Sequence, residues 1–262
     1  MGEINSFTKV SFTGNTKLTL ECVKATMLTK EVVAIFGLPD NDLKGKTNSV
    51  TLDSFCERNN IKLFKSGDWD EYKRYCEENG VELVITIGDS RIVPTKIIDN
   101  FYTIGNHGAI LPDAPGGASL VWGRLVNSGE WGISIMKIGQ EIDSGEILKT
   151  KKFKYDYGMS EQEFCDLCDR TTVDTLKEVL LGNYVVTQNK KPDVKLIKHI
   201  DTEKAVDIIR FCLDNGLTVY TPPRTQEDSI IKDEWSEEFK ELFKVAQNAP
   251  YPKYIEGKTD DE

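Results

Sequence analysis

Short apolar runs separated by polar, helix-periodic stretches recur along the first half of this chain. Lys9-Val-Ser-Phe-Thr is a strand candidate that ends at Gly14-Asn15, and residues 16–28 place apolar side chains at helical spacing. Val32-Val-Ala-Ile-Phe is continuously apolar, as in a strand covered on both faces. Residues 40–48 are polar and include Gly45, which predicts a loop. Residues 50–59 read as a helix, Lys62-Leu-Phe as a short strand, and residues 69–79 as a helix stopped by Gly80. Leu83-Val-Ile-Thr-Ile is a further buried strand. The alternation predicts an α/β chain on a Rossmann-like, mostly parallel sheet with helices on both faces. Such a sheet gathers ligands at the carboxyl ends of its strands. Gly14, Gly37, Gly88 and the Asn106-His107 segment are therefore expected along one edge.

The second half changes rhythm. Gly132-Ile-Ser-Ile-Met-Lys-Ile is a strand, a turn follows at Asp143, and residues 160–181 form a long helix behind an N-cap at Ser160. Residues 202–215 read as a helix closed by Gly216, and Leu217-Thr-Val-Tyr as a strand. Pro222-Pro-Arg-Thr-Gln-Glu-Asp is turn-rich, and residues 234–246 form an amphipathic helix. The charged run 257–262 is expected to fray. We expect a main domain over 1–200 and a small C-terminal α+β extension over 201–262.

Composition narrows the class. With 39% hydrophobic and 29% charged residues in 262, the chain has material for a real core in one large or two modest domains. No apolar run approaches the roughly 20 residues that cross a bilayer. The opening Met1-Gly-Glu-Ile-Asn-Ser-Phe lacks the basic-then-apolar layout of a secretion signal, and its Met-Gly matches a lipidation site only superficially. A cytoplasmic protein is expected. The net charge of −10, from 43 acidic and 33 basic side chains, disfavours nucleic acid as partner. A small anion needs only a few basic groups and backbone amides. The six cysteines lack paired Cys-x-x-Cys spacing, so no metal site is expected, and Cys165 and Cys168 read as buried helix thiols.

Candidate chemistry centres on one of only two histidines. His107 stands in Gly105-Asn-His-Gly-Ala-Ile-Leu-Pro, just before a Leu-Pro turn, and Asp143 in Ile142-Asp-Ser-Gly-Glu-Ile-Leu, an Asp-x-Gly turn. A histidine and a carboxylate at two strand ends point to an acid/base pair, because imidazole titrates near neutrality and a carboxylate orients it. Taken singly they are bland: His107 caps a strand end and Asp143 shapes a turn. His199 reads as a surface or structural residue. Asp113-Ala-Pro-Gly-Gly is either a glycine-amide cradle for phosphate or a shaped turn, and it lacks the lysine and spacing of a P-loop. Trp122 and Trp131 are expected to be buried packing. Lys149-Thr-Lys-Lys is expected to be a solvated strand edge.

These residues resemble the folate-dependent formyltransferases: methionyl-tRNA formyltransferases, glycinamide ribonucleotide transformylases and nucleotide-sugar N-formyltransferases. That family carries an Asn-x-His-x-x-Leu-Leu-Pro segment followed by an Asp-x-Gly turn. His107-Gly-Ala-Ile-Leu-Pro and Asp143-Ser-Gly-Glu-Ile-Leu match them, and Gly88-Asp-Ser-Arg-Ile-Val-Pro resembles the segment that cradles a pterin ring. Pro223-Arg-Thr-Gln-Glu-Asp-Ser and Pro250-Tyr-Pro resemble the closing segment of the tRNA and sugar enzymes, so the likeness covers residues 9–255. It implies the formyltransferase fold, a catalytic domain over 1–200 and N10-formyl-tetrahydrofolate as cofactor. Arg91, Ile92, Val93 and Glu141 would then bind the cofactor, and His107, Asp143 and Asn106 would be catalytic. Gly105 stands where the family has its asparagine. Along a regular strand Asn106 points away from the site, unless Gly105 permits a bulge that turns it inward. Both arrangements stay open at this point.

The resemblance also bears on the acceptor amine. The chain ends soon after Pro250-Tyr-Pro, where tRNA-acting members carry a further barrel, and the net charge is −10. The expected acceptor is therefore an amino sugar, nucleotide-linked. A formyltransferase-like protein that binds folate or a nucleotide without efficient turnover, and one that formylates another amine, are the alternatives. A homodimer through the C-terminal segment is open.

Overall fold

The computed structural model describes residues 3–43, 46 and 48–256. The Met-Gly start and the charged run 257–262 lie outside the described residues. The first half comprises β1 (Lys9–Thr13), α1 (Lys17–Thr26), β2 (Glu31–Phe36), α2 (Asp40–Leu43), α3 (Asp53–Arg58) and β3 (Lys62–Phe64). It continues through α4 (Trp69–Glu78), β4 (Leu83–Thr86), α5 (Thr95–Ile98) and β5 (Tyr102–His107). The second half holds α6 (Ser119–Val126), β6 (Glu130–Lys137), β7 (Ile147–Lys154) and α7 (Glu161–Leu180). It closes with β8 (Val194–Lys195), α8 (Thr202–Asp214), β9 (Val219–Tyr220) and α9 (Glu237–Ala246).

Most elements fall where the apolar pattern places them. The expected loop over 40–48 is corrected at its start, where Asp40–Leu43 is a short helix. Pro39 leads into that helix and Asp40 and Asp42 sit in its first turn, where acidic side chains favour a helix N-terminus.

Among the described residues, seven strands form one sheet in the order β3-β2-β1-β4-β5-β6-β7, and β8 pairs with β9 separately. The pairs β1–β2, β1–β4, β2–β3 and β4–β5 are parallel. This is the mostly parallel α/β sheet expected from the sequence. Strand order reverses between β1 and β4, the switch point beside which doubly wound sheets hold ligands. On the terminal strand β7, Lys149 pairs with Glu178 at 2.7 Å and Lys152 with Glu130 at 3.2 Å. Charged side chains of this kind blunt an open strand edge.

By internal packing the chain forms two compact units. Unit 1 comprises Met1–Asn106, Ile135–Lys149 and Thr172–Gln188; unit 2 comprises His107–Ser134, Thr150–Thr171 and Asn189–Glu262. In unit 1 successive strand residues serve two cores. Leu83 and Ile85 join Val10, Phe12 and Ile35 in one cluster, while Val84 joins Phe36, Phe64 and Tyr72 in another. Both faces are therefore apolar, which is why these strands read as continuous apolar runs. In unit 2, Trp122, Val206, Ile209, Trp235, Phe239 and Phe243 bring α6, α8 and α9 together. Burying each such side chain contributes roughly 1.5–3 kcal/mol. Arg210 closes the far end of α6, donating from Nε to the Val126 carbonyl at 2.9 Å. No helix among the described residues is long and apolar enough to cross a membrane.

Candidate functional site

A cavity of ≈ 260 Å³ opens in unit 1, lined by Thr86, the 88–93 loop, Asn106, Met136 and the 138–143 turn. It brings together Arg91, Ile92, Val93, Asn106, Glu141 and Asp143 from three separate stretches of chain.

The 88–93 loop owes its shape to Arg91. Its Nε donates to Asp89 Oδ1 at 2.9 Å, and Nη2 donates to Asp89 Oδ2 at 2.7 Å. Nη1 reaches the Gly37 carbonyl at 3.0 Å and Nη2 the Phe36 carbonyl at 2.9 Å. The guanidinium also lies over the Phe36 and Trp69 rings, at 4.4 and 5.3 Å from their centroids. With its donors spent internally, Arg91 is a post that holds the loop, and ligand contacts fall to the backbone. Among the described residues the main-chain N–H and C=O groups of Ile92 and Val93 have no hydrogen-bond partner. The Ile92 side chain is 76% exposed and that of Val93 is packed into the core. Thr86 is among the lining residues, and its Oγ1 is buried without a partner. Such orphan groups call for an external partner. They suit a flat heterocycle with donors and acceptors on its edge, such as a pterin.

Across the cavity, Asp143 has φ +50°, a left-handed conformation that a short polar side chain tolerates. Gly145 follows because the turn closes against the backbone: Lys137 N donates to the Glu146 carbonyl at 2.8 Å. A Cβ at Gly145 would lie 1.7 Å from the Lys137 carbonyl oxygen. Ser144 Oγ donates to the Glu141 carbonyl at 2.8 Å and fixes the start of the same turn.

Asn106 lines the cavity, one residue beyond the last β5 pair with β4, Thr86–Gly105, and that pairing runs without a register shift. β5 itself continues through Asn106 to His107. The Asn106 side-chain amide has no hydrogen-bond partner among the described residues. Gly105 is filled from outside: a Cβ there would meet Ile138 Cδ1 at 2.6 Å and the Thr86 carbonyl oxygen at 3.0 Å.

His107 is the last residue of β5 and belongs to unit 2. It is 6% exposed, and its Nε2 lies 2.8 Å from the Ala114 carbonyl oxygen. That oxygen accepts only, so the bond places a proton on Nε2 and fixes the ring plane. The Asp113-Ala-Pro-Gly-Gly segment is a shaped turn: Gly117 N donates to the Thr221 carbonyl at 2.9 Å, and Thr221 N donates to the Pro115 carbonyl at 2.8 Å. Trp122 and Trp131 are buried, with Nε1 donating to the Pro222 and Gly108 carbonyls at 2.9 and 2.8 Å. His199 is at the surface, 4.0 Å from Glu227. Cys165 and Cys168 are buried and form no disulfide.

Sequence reasoning missed a charged pair inside unit 2. Arg124 and Glu161 side chains are both 0% exposed, with Nε and Oε2 3.7 Å apart. That separation exceeds a hydrogen bond, and neither atom finds another partner. Burial pushes the Glu161 carboxyl up to about 8, against the opposing pull of Arg124. Glu161 reads in sequence as one more first-turn acid of a helix, so only the fold reveals it.

Residues 15–180 match the model of the formyl transferase family. The chain is 23% identical over 241 residues to methionyl-tRNA formyltransferase of Fusobacterium nucleatum, covering 90% of this chain and 71% of that enzyme. It spans about half to two-thirds of other methionyl-tRNA formyltransferases that it matches. Among solved structures, a sugar N-formyltransferase from Shewanella sp superposes with a TM-score of 0.66 at 13% identity, covering 97% of this chain and 94% of that one. An N-formyltransferase from Helicobacter canadensis, in complex with folinic acid and dTDP-3-aminofucose, gives a TM-score of 0.62 at 14% identity, over 91% and 80% of the two chains. At these identities the structural likeness is one of fold.

Proposed function

Because this chain belongs to the formyl transferase family, we propose that it moves a formyl group from N10-formyl-tetrahydrofolate to the amine of a nucleotide-linked amino sugar. The observation that carries this reading is the unit 1 cavity, where unused backbone groups of Ile92 and Val93 and the orphan Thr86 hydroxyl line one space with Asp143. When bound, the folate supplies the formyl carbon. The 88–93 loop, posted by Arg91, and the turn at Glu141 hold the ring through the main chain.

Asn106 offers an amide donor to the oxygen on which charge develops; losing one such donor typically costs about 10²–10³ in rate. His107, with its ring held by the Ala114 carbonyl, serves in proton transfer, and Asp143 is the carboxylate that the resemblance assigns to it. A small amine acceptor is supported by the nucleotide-sugar complex of the Helicobacter canadensis neighbour and by the net charge of −10. The methionyl-tRNA formyltransferase relatives favour tRNA instead. Buried cysteines outside any disulfide accord with a reaction in the reducing cytoplasm. Residues 201–262 would then be a C-terminal extension to a catalytic domain over 1–200, and a homodimer through that extension remains part of this proposal.

The second reading, folate or nucleotide binding with impaired turnover, is favoured by Ile138 filling the place of a side chain at position 105. Two measurements separate the readings. Calorimetric titration with 5-formyl-tetrahydrofolate tests the donor site; no saturation at about 1 mM sinks it. Turnover on a panel of dTDP- and UDP-amino sugars and methionyl-tRNA then tests the acceptor, and binding without turnover selects the second reading.

A further inference from the structure

Strand β9 is short, yet the chain uses both of its edges. On one edge the Thr218 and Tyr220 carbonyls accept from Val194 N and Leu196 N, in and just after β8, at 3.0 and 3.1 Å. On the other, Val219 N donates to the Asp113 carbonyl and Thr221 N to the Pro115 carbonyl, each at 2.8 Å. Gly117 N returns a bond to the Thr221 carbonyl at 2.9 Å. Thr221 Oγ1, buried with its residue, donates to the Gly117 carbonyl at 3.1 Å, with the Pro115 carbonyl at 3.4 Å. Residues 217–221 thus lie as a strap along the 113–117 turn. The fit is close: a Cβ at Gly116 would collide with the Thr221 carbonyl oxygen, and one at Gly117 would stand 2.7 Å from Pro223 Cα. The strap is tied down just beyond, where Trp122 Nε1 donates to the Pro222 carbonyl at 2.9 Å.

This strap bears on His107 through one carbonyl. The Asp113 and Pro115 carbonyls face the strap, and the Ala114 carbonyl between them faces His107, 2.8 Å from Nε2. The peptide group that carries the Ala114 carbonyl has no N–H of its own, because residue 115 is proline. Its direction is therefore set by the peptide groups on either side, and both of those are bonded to the strap. All of these residues belong to unit 2.

We propose that the 217–221 strap is a positioning element for formyl transfer, with Thr221 as its positioning residue: it aims the Ala114 carbonyl that fixes the His107 ring plane and keeps a proton on Nε2. The inference rests on the reading of His107 as the group that moves protons. It makes part of the C-terminal extension a working piece of the reacting site.

The chain has two histidines, so a long-range proton–nitrogen correlation spectrum of the full chain holds two imidazole systems, and the exposed His199 is the internal reference. With its ring neutral, wild-type His107 should show a single tautomer, protonated on Nε2. Gly116→Ala drives a Cβ into the strap and should turn His107 into a mixture of tautomers while His199 keeps its shifts. In turnover kcat should fall about 10²-fold, the scale of a misplacement of about 1 Å, with the KM for the formyl donor unchanged. Thr221→Val removes only the hydroxyl bonds, so it tests the strap even where Gly116→Ala fails to fold. It should shift the His107 tautomers in the same direction and lower kcat about two- to tenfold, and Thr221→Ser should restore both. His107 signals unchanged in Thr221→Val and in folded Gly116→Ala, or a rate that Thr221→Ser fails to rescue, overturn the proposal. The spectrum needs no acceptor amine. A wild type without turnover on any acceptor, whose His107 ring still answers to Thr221, would therefore sink the formyl-transfer reading and leave the hold of the strap on His107 standing.

Discussion

Two arginines, one in each unit, are built alike and used differently. Arg91 lies over Phe36 and Trp69, and Arg224 over Trp122 and Phe243. Arg91 has Asp89 at 2.7 Å, and that carboxylate is 1% exposed; Arg224 hydrogen-bonds neutral acceptors, with the Asp228 carboxylate near enough to raise its pKa but not bonded to it. The carboxylate makes the difference. In unit 1 the charge is consumed in an ion pair that shapes a loop. In unit 2 the guanidinium is held by neutral acceptors, and the Asp228 carboxylate acts on it only through its field.

Substitutions can break this contrast. The largest expected effect is at His107: His107→Asn should slow formyl transfer by about 10²–10⁴-fold while 5-formyl-tetrahydrofolate still titrates normally. A parallel loss of binding would mean that the histidine shapes the donor site instead. Next, Arg91→Gln strands the buried Asp89 carboxylate and should cost roughly 2–4 kcal/mol in urea unfolding. Arg224→Gln leaves behind neutral acceptors and an Asp228 carboxylate that already has Thr225 as partner, and should cost about 1–2 kcal/mol. Equal costs would erase the distinction between the two arginines.

Glu161 sharpens it from a third direction, since its arginine partner is present but too distant to hydrogen-bond. Folded Glu161 keeps its proton up to about pH 8, against an ordinary value of 4.5. Between those values the folded state binds the extra proton, so raising the pH favours unfolding. Stability should fall by on the order of 1–3 kcal/mol across that window and level off above it. Glu161→Gln should flatten this component of the profile in unfolding measured from pH 5 to 8.5; an unchanged slope would assign it to other groups. The smallest effect is at Gly105. Gly105→Ala asks only the end of Ile138 and one carbonyl to give way, a cost of about 1 kcal/mol. Ile138→Ala in the same chain should recover part of it, read as a melting-temperature shift of a few degrees.

The sheet was legible in sequence because strands buried on both faces write near-continuous apolar runs, as at 32–36 and 83–87. The motifs at 88–93 and 141–143 were legible in sequence, and the fold places both on the wall of one cavity. Helix α6 was not, because its N-cap is Ala118 at φ +53°, with no side-chain cap to announce it. Asn106 stands inside β5 and lines the cavity, which strand alternation alone did not foresee or exclude. Arg224 reads as part of a turn in Pro222-Pro-Arg-Thr, and the rings it lies over belong to α6 and α9. Nothing local marks such a residue.

The turn at Gly145 has a consequence for how this protein tolerates change. A carbonyl oxygen already occupies the space where any side chain would begin, 1.7 Å from an ideal Cβ. No choice of replacement, small or large, polar or apolar, escapes that collision without moving the strand behind it. In a saturation scan scored by folding, position 145 should reject alanine nearly as firmly as tryptophan, whereas the exposed Ile92 beside the same cavity should accept most residues. Drift at this turn is then confined to its neighbours, and the spacing between Asp143 and the strand that follows cannot slip by one residue without losing the only amino acid that fits.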